Sequence, residues 1–488
     1  MTIKGIRTGT GARNGRHGHG VERRSVLKLA VGAAAAGGLG AAGTTAHASG
    51  PDRSAAEAGT YDVIVVGAGF AGVTAARELR ARGLRPLIVE ARSRIGGRAW
   101  TDTFSGKRIE LGANWFSQHQ ALVAAELQRY GINLVHEGVG PERAVFPTAD
   151  GGFENLDAFE AYTHNDSLIE RLFEGSREYL PRPLEPLYAY DRISAVDGKS
   201  LRDRLGELRL SARDERWLSS TTAAYSGGDS AVGGLTALAQ WWALPGHTVD
   251  GWYSLMGQIA ETGMRGLLER MLADAQAQLV LESPVTTVID DGRGVTVVTR
   301  GGRRFTAASA VVAVPANVWK DITFQPGLPP VHAELARQGS GIPHSKKFWA
   351  RVRGDIGLVA ANGAEGFPVS SLFSYHQLAG GEQLMIGFCQ DTSFDVTNLA
   401  RLNSTVRQML PKAEILAVRS QDWGKDPYAR GGWALRRPGQ LLRHLPAVQR
   451  PHGRIAFAND GIASGWNGFI DGAIETGKRA AEQVTKAL

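Results

Sequence analysis

The chain has 488 residues, more than one ordinary domain, which indicates two or three domains, and its hydrophobic fraction of 43% is typical of a globular protein. The formal net charge of +7 lies almost wholly in residues 1–48, so the rest of the chain is nearly neutral and nucleic-acid binding has no support. The single cysteine, Cys389, excludes an intrachain disulfide and reads as a buried strand residue.

Residues 1–48 have the pattern of an export signal. The pair Arg23-Arg24 precedes an Ala/Gly-rich stretch, and Ala46-His47-Ala48 matches a small-residue cleavage site. The arginine pair is typical of the twin-arginine route. A membrane anchor is the alternative, but the stretch is too short and glycine-rich to span a bilayer well. We therefore predict a twin-arginine signal at 1–48, a polar linker at 49–60, and a periplasmic or extracellular mature protein without a membrane segment.

The residues after the linker predict a dinucleotide site. The apolar run 61–66 predicts a strand, 73–82 a helix and 84–89 a second strand that ends in Glu90. Gly67, Gly69 and Gly72 form a G-x-G-x-x-G turn between the first strand and the helix. Such glycines permit a tight turn, let backbone approach a pyrophosphate and let the helix pack on the sheet, while the acid meets ribose hydroxyls. This motif alone does not distinguish NAD from FAD.

The next segment distinguishes the two cofactors through a family resemblance. Residues 90–98 (EARSRIGGR) resemble the E-A-R-x-R-x-G-G-R signature of the flavin-containing amine oxidases. The resemblance spans residues 61–488 and looks most similar to bacterial nicotine and pseudooxynicotine oxidoreductases. Further segments that carry it are 110–115 (ELGANW), 283–288, 307–315, 344–348, 457–461 and 468–473.

The resemblance implies that the chain binds FAD through the residues at the family's cofactor positions. The family arginines contact the pyrophosphate, and the 110–115 segment lies beside the flavin ring. The residues assigned to the cofactor in this way are Gly67, Gly69, Phe70, Ala71, Gly72, Glu90, Ala91, Arg92, Gly97, Arg98, Gly112, Ala113, Asn114, Trp115, Val285, Asp460, Phe469 and Ile470.

Several positions depart from the patterns of relatives. The family's F-A-G-[AT]-E segment has Asn459 in place of Gly and Gly461 in place of Glu, which leaves Asp460 to accept hydrogen bonds from the ribityl hydroxyls. Gly432 stands where mammalian monoamine oxidases have the cysteine that binds flavin covalently, which implies non-covalent FAD. An arginine like that of L-amino acid oxidases is missing near Trp115, which argues against an amino-acid substrate.

The resemblance also implies three catalytic residues. Trp433 and Phe469 match two family rings that face each other in front of the flavin and contact the amine through their faces. Packing in the core is the alternative for both rings. Lys346 matches the lysine that holds a water against flavin N5. Because neighbouring strand residues point to opposite faces, only one of Lys346 and Lys347 is expected to point inward, and the phase of Phe348 favours Lys346.

The predicted fold class is α/β, with two domains. A FAD-binding two-dinucleotide-type (Rossmann-like) domain would be discontinuous and use residues 60–119, 258–324 and 424–488. A second, α+β substrate domain would use 120–257 and 325–423.

The first part of the substrate domain, 120–257, reads as helical. Apolar residues recur at helical spacing over 122–130, 168–179 and 212–224. The pair Trp241-Trp242 lies in the same region and either lines the substrate chamber or packs the core, of which the core is the commoner role.

These observations predict a FAD-dependent oxidase or dehydrogenase for a small-molecule amine. A hydride would pass from the carbon next to nitrogen to flavin N5, giving an imine, and O2 (giving H2O2) or an electron-carrier protein would reoxidise the flavin. A flavin desaturase for a non-amine substrate and a non-catalytic flavin-binding protein are the alternatives. The twelve histidines lack ligand spacing, so we predict no metal site. The sequence is compatible with a homodimer and leaves open which amine is the substrate.

Overall fold

The structure is a computed structural model that describes residues 61–488, and the predicted signal (1–48) and linker (49–60) lie outside the described residues. The helices are α1 (Phe70–Ala81), α2 (Ala121–Arg129), α3 (Ala158–Leu172), α4 (Ser176–Tyr179), α5 (Tyr190–Ser194), α6 (Leu201–Leu208), α7 (Ala212–Tyr225), α8 (Leu235–Ala243), α9 (Val249–Ser254), α10 (Gly263–Ala275), α11 (Pro330–Gln338), α12 (Leu399–Met409), α13 (Gln440–His444) and α14 (Ile470–Ala487).

The strands belong to two large sheets, one smaller sheet and two short ribbons. In chain order they are β1 (Val63–Val66), β2 (Pro86–Val89), β3 (Thr101–Phe104), β4 (Lys107–Glu110), β5 (Leu134–Val135), β6 (Arg143–Pro147), β7 (Phe153–Asp157), β8 (Ile259–Ala260), β9 (Gln278–Val280), β10 (Val285–Asp290), β11 (Val295–Thr299), β12 (Arg304–Ala307), β13 (Ser309–Val312), β14 (Thr323–Gln325), β15 (Lys346–Arg353), β16 (Val359–Asn362), β17 (Val369–Gln377), β18 (Gln383–Cys389), β19 (Glu414–Asp422) and β20 (Ile455–Phe457).

The first large sheet is parallel, with the strand order β20-β13-β1-β2-β9. All four residues of β1 are buried, because both faces of the parallel sheet are covered. Val63 and Val65 pack with residues of α1, α10 and α14, whereas Ile64 and Val66 pack in a core that includes residues of β10, β11 and β12. Helix α1 connects β1 to β2 and packs against α10 and α14. The five strands come from the three segments predicted to form the FAD domain, while the domain boundaries themselves stay a prediction.

The second large sheet has the order β19-β15-β18-β17-β16-β6-β7 and is antiparallel except for the β16–β6 pair. Strand β15 lies between β18 and β19. Its successive side chains enter different cores: Phe348, Ala350 and Val352 pack with α12 residues on one face, and Trp349 packs with Ile109 and Leu111 on the other. This alternation decides where the two lysines at the start of β15 point.

Residues 120–257 differ from the helical prediction at the two-residue strand β5, which pairs with β8, and in two longer stretches. Residues 143–157 form the hairpin β6–β7, which adds to the edge of the mixed sheet because it carries a buried apolar run followed by a Gly151-Gly152 turn. The predicted helix over 168–179 is two helices, since α3 ends at Leu172 and Gly175 adopts a φ of 80° before α4. The predicted helices at 122–130 and 212–224 correspond to α2 and α7.

Two further findings concern residues 61–488 alone. None of the helices there combines the length and apolar character needed to cross a bilayer. The same residues contain no cluster of three or more His, Cys, Asp or Glu side chains arranged to hold a metal ion.

Candidate active site

The first part of the site is a backbone cradle where β1 ends. Gly67 has a φ of 104°, and a Cβ on Gly72 would lie 2.0 Å from the Gly67 carbonyl oxygen, so only glycine fits there. Helix α1 begins at Phe70 after Gly69, with no side-chain cap and no acidic residue in its first turn. Its first N–H groups are therefore available to an anion such as a pyrophosphate.

Glu90 and the glycine pair Gly96-Gly97 close the cradle from the side of β2. The Glu90 carboxylate accepts hydrogen bonds from the Ala68 N–H at 2.7 Å and from the Arg92 N–H at 2.9 Å. The Gly96 N–H donates to the Ala68 carbonyl at 2.9 Å, and Gly97 has a φ of 58°. The 90–97 segment therefore lies directly on the first glycine loop.

Strand β10 begins next to Glu90. The Ser283 N–H donates to the Glu90 carbonyl at 2.9 Å. This contact brings residues 283–285 to the side of the cradle where Glu90 lies, the acid expected to meet the ribose hydroxyls. The arrangement is compatible with the assignment of Val285 to the cofactor.

Arg92 and Arg98 connect the cradle to later parts of the chain. Arg98 forms an ion pair with Asp460 and donates to the Gly432 carbonyl at 2.7 Å, while Arg92 donates to Asp426 at 2.5 Å. A Cβ on Gly112 would lie 1.9 Å from the Arg98 carbonyl, so the 110–115 segment approaches the cradle closely. Backbone cradle, uncapped helix and acid together fit a bound FAD, which these residues would hold.

The departure at 459–461 has a local explanation. A Cβ on Gly461 would lie 2.4 Å from the Ser340 hydroxyl, so a glutamate would not fit there unless Ser340 moved. Asp460 is buried, begins a short 3₁₀ turn, and directs its carboxylate at Arg98. The Asn467 amide donates to the carbonyls of Asp460 and Gly461 and fixes this turn beside the segment that carries Phe469.

The two lysines at the start of β15 are both buried and point in opposite directions. Lys346 donates to the Asp391 carbonyl and lies 3.9 Å from the Asp422 carboxylate, on the face of Phe348. Lys347, which is 2% exposed, donates to the Gly112 carbonyl at 3.0 Å and lies 4.9 Å from the Trp115 ring centroid.

The expected orientation of Lys346 is thus wrong, and Lys347 is the lysine that reaches the 110–115 segment, which the resemblance places beside the flavin ring. The error came from using Phe348 as the marker of the inward face. The Phe348 ring packs into a core on one face of the second large sheet. The tip of the ring lies 2.1 Å from the position that a Cβ on Gly387 would take. The assumption that only one of the two lysines is buried is also wrong, because both faces of β15 are covered.

Trp433 and Phe469 lie on adjacent segments. A Cβ on Gly468 would be 2.4 Å from the Ala434 carbonyl, so the residues before Phe469 touch those after Trp433. The Trp433 indole N–H donates to the Tyr225 carbonyl at 3.0 Å. The Phe469 ring meets Trp241 edge-on at 4.8 Å, and Trp241 meets Tyr225 at 5.8 Å.

Trp433 is linked to Lys347 through the Phe388 ring. The Trp433 ring meets Phe388 edge-on at 6.1 Å, and the Lys347 amine lies 5.9 Å from the same Phe388 ring. We call Trp115, Phe388, Trp433, Tyr225, Trp241 and Phe469 the ring series. Two members of this arrangement were not predicted from the sequence. Lys347 was not expected to be the inward lysine, and packing in the core was the favoured role of Trp241. The Trp241-Trp242 pair in an apolar helix was the signal that could have placed Trp241 in the site.

Glu110 was also missed as a site residue. Burial raises the pKa of its carboxyl group, and burial lowers the pKa of Lys347, an effect that the negative charge of Glu110 partly offsets.

Comparison with known proteins agrees with this geometry. Residues 70–485 match the sequence model of the family described as flavin containing amine oxidoreductase. The chain belongs to this family. It is 33% identical to pseudooxynicotine dehydrogenase from Pseudomonas sp, over 96% of each chain, and 33% identical to nicotine dehydrogenase from Pseudomonas putida, over 96% of this chain and 98% of that one.

The fold agrees as well. Cyclohexylamine oxidase from Brevibacterium oxydans superposes with a TM-score of 0.73 at 22% identity, over 88% of this chain and 99% of that one. The predicted fold class and family are confirmed. This flavin-containing amine oxidoreductase is an enzyme for CH–NH donors with FAD as its cofactor, which favours the amine-oxidising hypothesis over the desaturase and the non-catalytic protein.

Proposed function

We propose that this enzyme oxidises a secondary or cyclic amine that carries an aromatic ring, at the carbon next to nitrogen. The observation that carries the proposal is the ring series. Trp115 and Phe388 flank the Lys347 amine, and Phe388 meets Trp433. The Trp433 indole is hydrogen-bonded to the main chain of Tyr225, whose ring meets Trp241, which in turn meets Phe469. Aromatic faces attract amines and stack on other rings. The two Pseudomonas relatives are named for nicotine and pseudooxynicotine, both of which fit this description.

Each residue has a distinct part in the proposal. Trp433 and Phe469 would orient the amine, and the glycine cradle with Glu90, Arg92 and Arg98 would hold FAD, which supplies a two-electron acceptor when bound. Lys347 would hold a water or a proton beside the Gly112–Trp115 segment. The surrounding rings would exclude bulk water from the reacting carbon.

The test is reduction of the purified, FAD-loaded protein by amines in the absence of oxygen, followed by the visible absorbance of the flavin. Nicotine and pseudooxynicotine form one arm. Putrescine, phenethylamine and amino acids form the other, since each lacks either the ring or the secondary or cyclic amine. We expect bleaching by the first arm at least tenfold faster, about 1.4 kcal/mol in the barrier. Equal or faster bleaching by putrescine or by an amino acid would contradict the proposed substrate class.

Two finer properties follow from the same site. Either O2 or an electron-carrier protein would reoxidise the flavin, and admitting air to the bleached protein distinguishes these acceptors. FAD would be bound non-covalently, because Gly432 offers no thiol and a Cβ there would lie 2.8 Å from the Ser345 Cβ. Denaturation followed by filtration should release all flavin into the filtrate, and flavin retained with the protein would contradict this.

We also propose export by the twin-arginine route, on the strength of the residue 1–48 pattern alone. Replacing Arg23 and Arg24 by lysine should retain the protein in the cytoplasm, as measured by cell fractionation. An unchanged distribution between fractions would contradict this route.

A further inference from the structure

Glu110 is a buried carboxylate at the end of β4 that has no part in the proposed chemistry. It is 4% exposed. One carboxylate oxygen accepts hydrogen bonds from the Thr101 hydroxyl at 2.7 Å and from the Met264 N–H at the start of α10 at 2.9 Å. The other oxygen is buried without a hydrogen-bond partner. An ionised carboxylate in such a place is costly unless a positive charge lies near it.

Two paired contacts hold Lys347 beside the backbone of the segment that carries this carboxylate. The Trp349 indole N–H donates to the Glu110 carbonyl at 2.9 Å, and the Lys347 amine donates to the Gly112 carbonyl at 3.0 Å. Trp349 and Lys347 are two apart on one face of β15, and Glu110 and Gly112 are two apart on the opposing segment. This register fixes the amine of Lys347 relative to the segment that carries Glu110.

Glu110 is the counter-charge that acts on Lys347. Its negative charge is the influence that raises the pKa of the lysine against the lowering effect of burial. Arg108 on β4 and Lys347 both lower the pKa of Glu110, although burial dominates and raises it. Tyr375 on β17 also interacts with Glu110 and with Glu137, and His376 stacks on Trp349.

We propose that Glu110 is a positioning residue whose carboxylate sets whether the Lys347 amine carries a proton at neutral pH. The two buried groups act on each other through their charges and not through a direct hydrogen bond, so the charged form of each favours the charged form of the other. The proton that Lys347 presents to the 110–115 segment therefore depends on Glu110, the first residue of that segment. The expected effect on catalysis rests on the proposed function, whereas the coupling between the two groups does not.

The test uses the FAD-loaded protein and two variants, Glu110→Gln and Lys347→Met. Infrared difference spectra across pH report the carbonyl band of a protonated buried carboxyl group. In Lys347→Met, loss of the nearby positive charge should move the Glu110 titration to higher pH by about one to three units. In Glu110→Gln that band should disappear, and the pH profile of flavin reoxidation by oxygen should move to lower pH by a similar amount, because the lysine loses its counter-charge.

Two controls separate electrostatics from structure. Lys346→Met removes a buried lysine from the opposite face of β15 and should leave the Glu110 band unmoved. Glu110→Asp retains the carboxylate and should restore much of the pH profile that Glu110→Gln changes. A capping role alone predicts lower stability of Glu110→Gln with an unmoved profile.

Three outcomes would overturn the proposal. They are an unmoved Glu110 band in Lys347→Met, an unmoved reoxidation profile in a folded Glu110→Gln, and equal shifts in Lys346→Met. Lys347→Met leaves intact the hydrogen bond from the Met264 N–H, at the start of α10, to the Glu110 carboxylate, so the infrared test stands even where Glu110→Gln does not fold. Because the infrared measurement needs no turnover, failure to oxidise any amine would count against the proposed function only.

Discussion

The cofactor cradle and the ring series are two halves of one site that are built by different means. In the cradle, main-chain atoms approach within distances that only glycine allows, as between Gly67 and Gly72. In the ring series, side chains from α7, α8, β18 and two C-terminal segments meet across long sequence separations. The difference teaches that a site made of backbone is readable from local motifs, whereas a site made of side chains depends on tertiary packing.

The cradle should be broken most severely by one methyl group. Gly72→Ala places a Cβ against the Gly67 carbonyl, so we expect loss of bound flavin together with loss of folding stability. Flavin absorbance of the purified protein and its thermal unfolding are the measurements. Full flavin content in Gly72→Ala would show that flavin binding does not depend on the close approach of Gly72 to the Gly67 carbonyl.

Two other glycines sharpen this prediction. A Cβ on Gly69 would meet only the Gly96 carbonyl at 3.8 Å, so Gly69→Ala should fold yet bind FAD about tenfold or more weakly, ~1.4 kcal/mol. Gly206 in α6 has no atom near its would-be Cβ, and Gly206→Ala should bind FAD normally and gain up to about 1 kcal/mol of stability.

Lys346 and Lys347 test whether the direction of a side chain from β15 decides its role in flavin reoxidation. Lys347→Met should slow reoxidation of the reduced flavin by oxygen, by about 10²-fold if the amine assists proton transfer, with FAD still bound. Lys346→Met should change this rate little, since that amine faces Asp391 and Asp422. Rapid-mixing measurements of reoxidation compare the two, and the reverse ranking would restore Lys346 as the flavin-side lysine.

The smallest effect is expected at Trp241. Its edge-on contact with Phe469 is of the kind that contributes about 0.5–1.5 kcal/mol. Trp241→Leu should therefore raise KM for the amine about 2- to 10-fold without loss of FAD. Trp319 is an equally buried tryptophan packed on Phe457, outside the ring series, and Trp319→Leu should lower stability without a matching rise in KM.

The sequence was sufficient for the fold class, for the family and for the glycine loop. Each of these rests on local spacing or on a long resemblance. It was not sufficient for the lysine register, because the face that Phe348 marks is defined by packing against Gly387, a residue on another strand. Nor did local pattern reveal the β6–β7 hairpin, in which β6 pairs with β16, more than 200 residues later, and β7 pairs with β6.

The packing of α14 on α1 has a consequence for how the enzyme is made. A Cβ on Gly477 would lie 2.4 Å from the Ala71 carbonyl, so α14 packs directly on the first turn of α1. About 400 residues separate these two positions, which a ribosome takes roughly 20–80 s to add. During the first part of that interval β1 lacks its neighbour β13, and throughout it α1 lacks the cover of α14. The nascent chain must protect this apolar surface from aggregation until synthesis of the last helix allows the nucleotide to be captured.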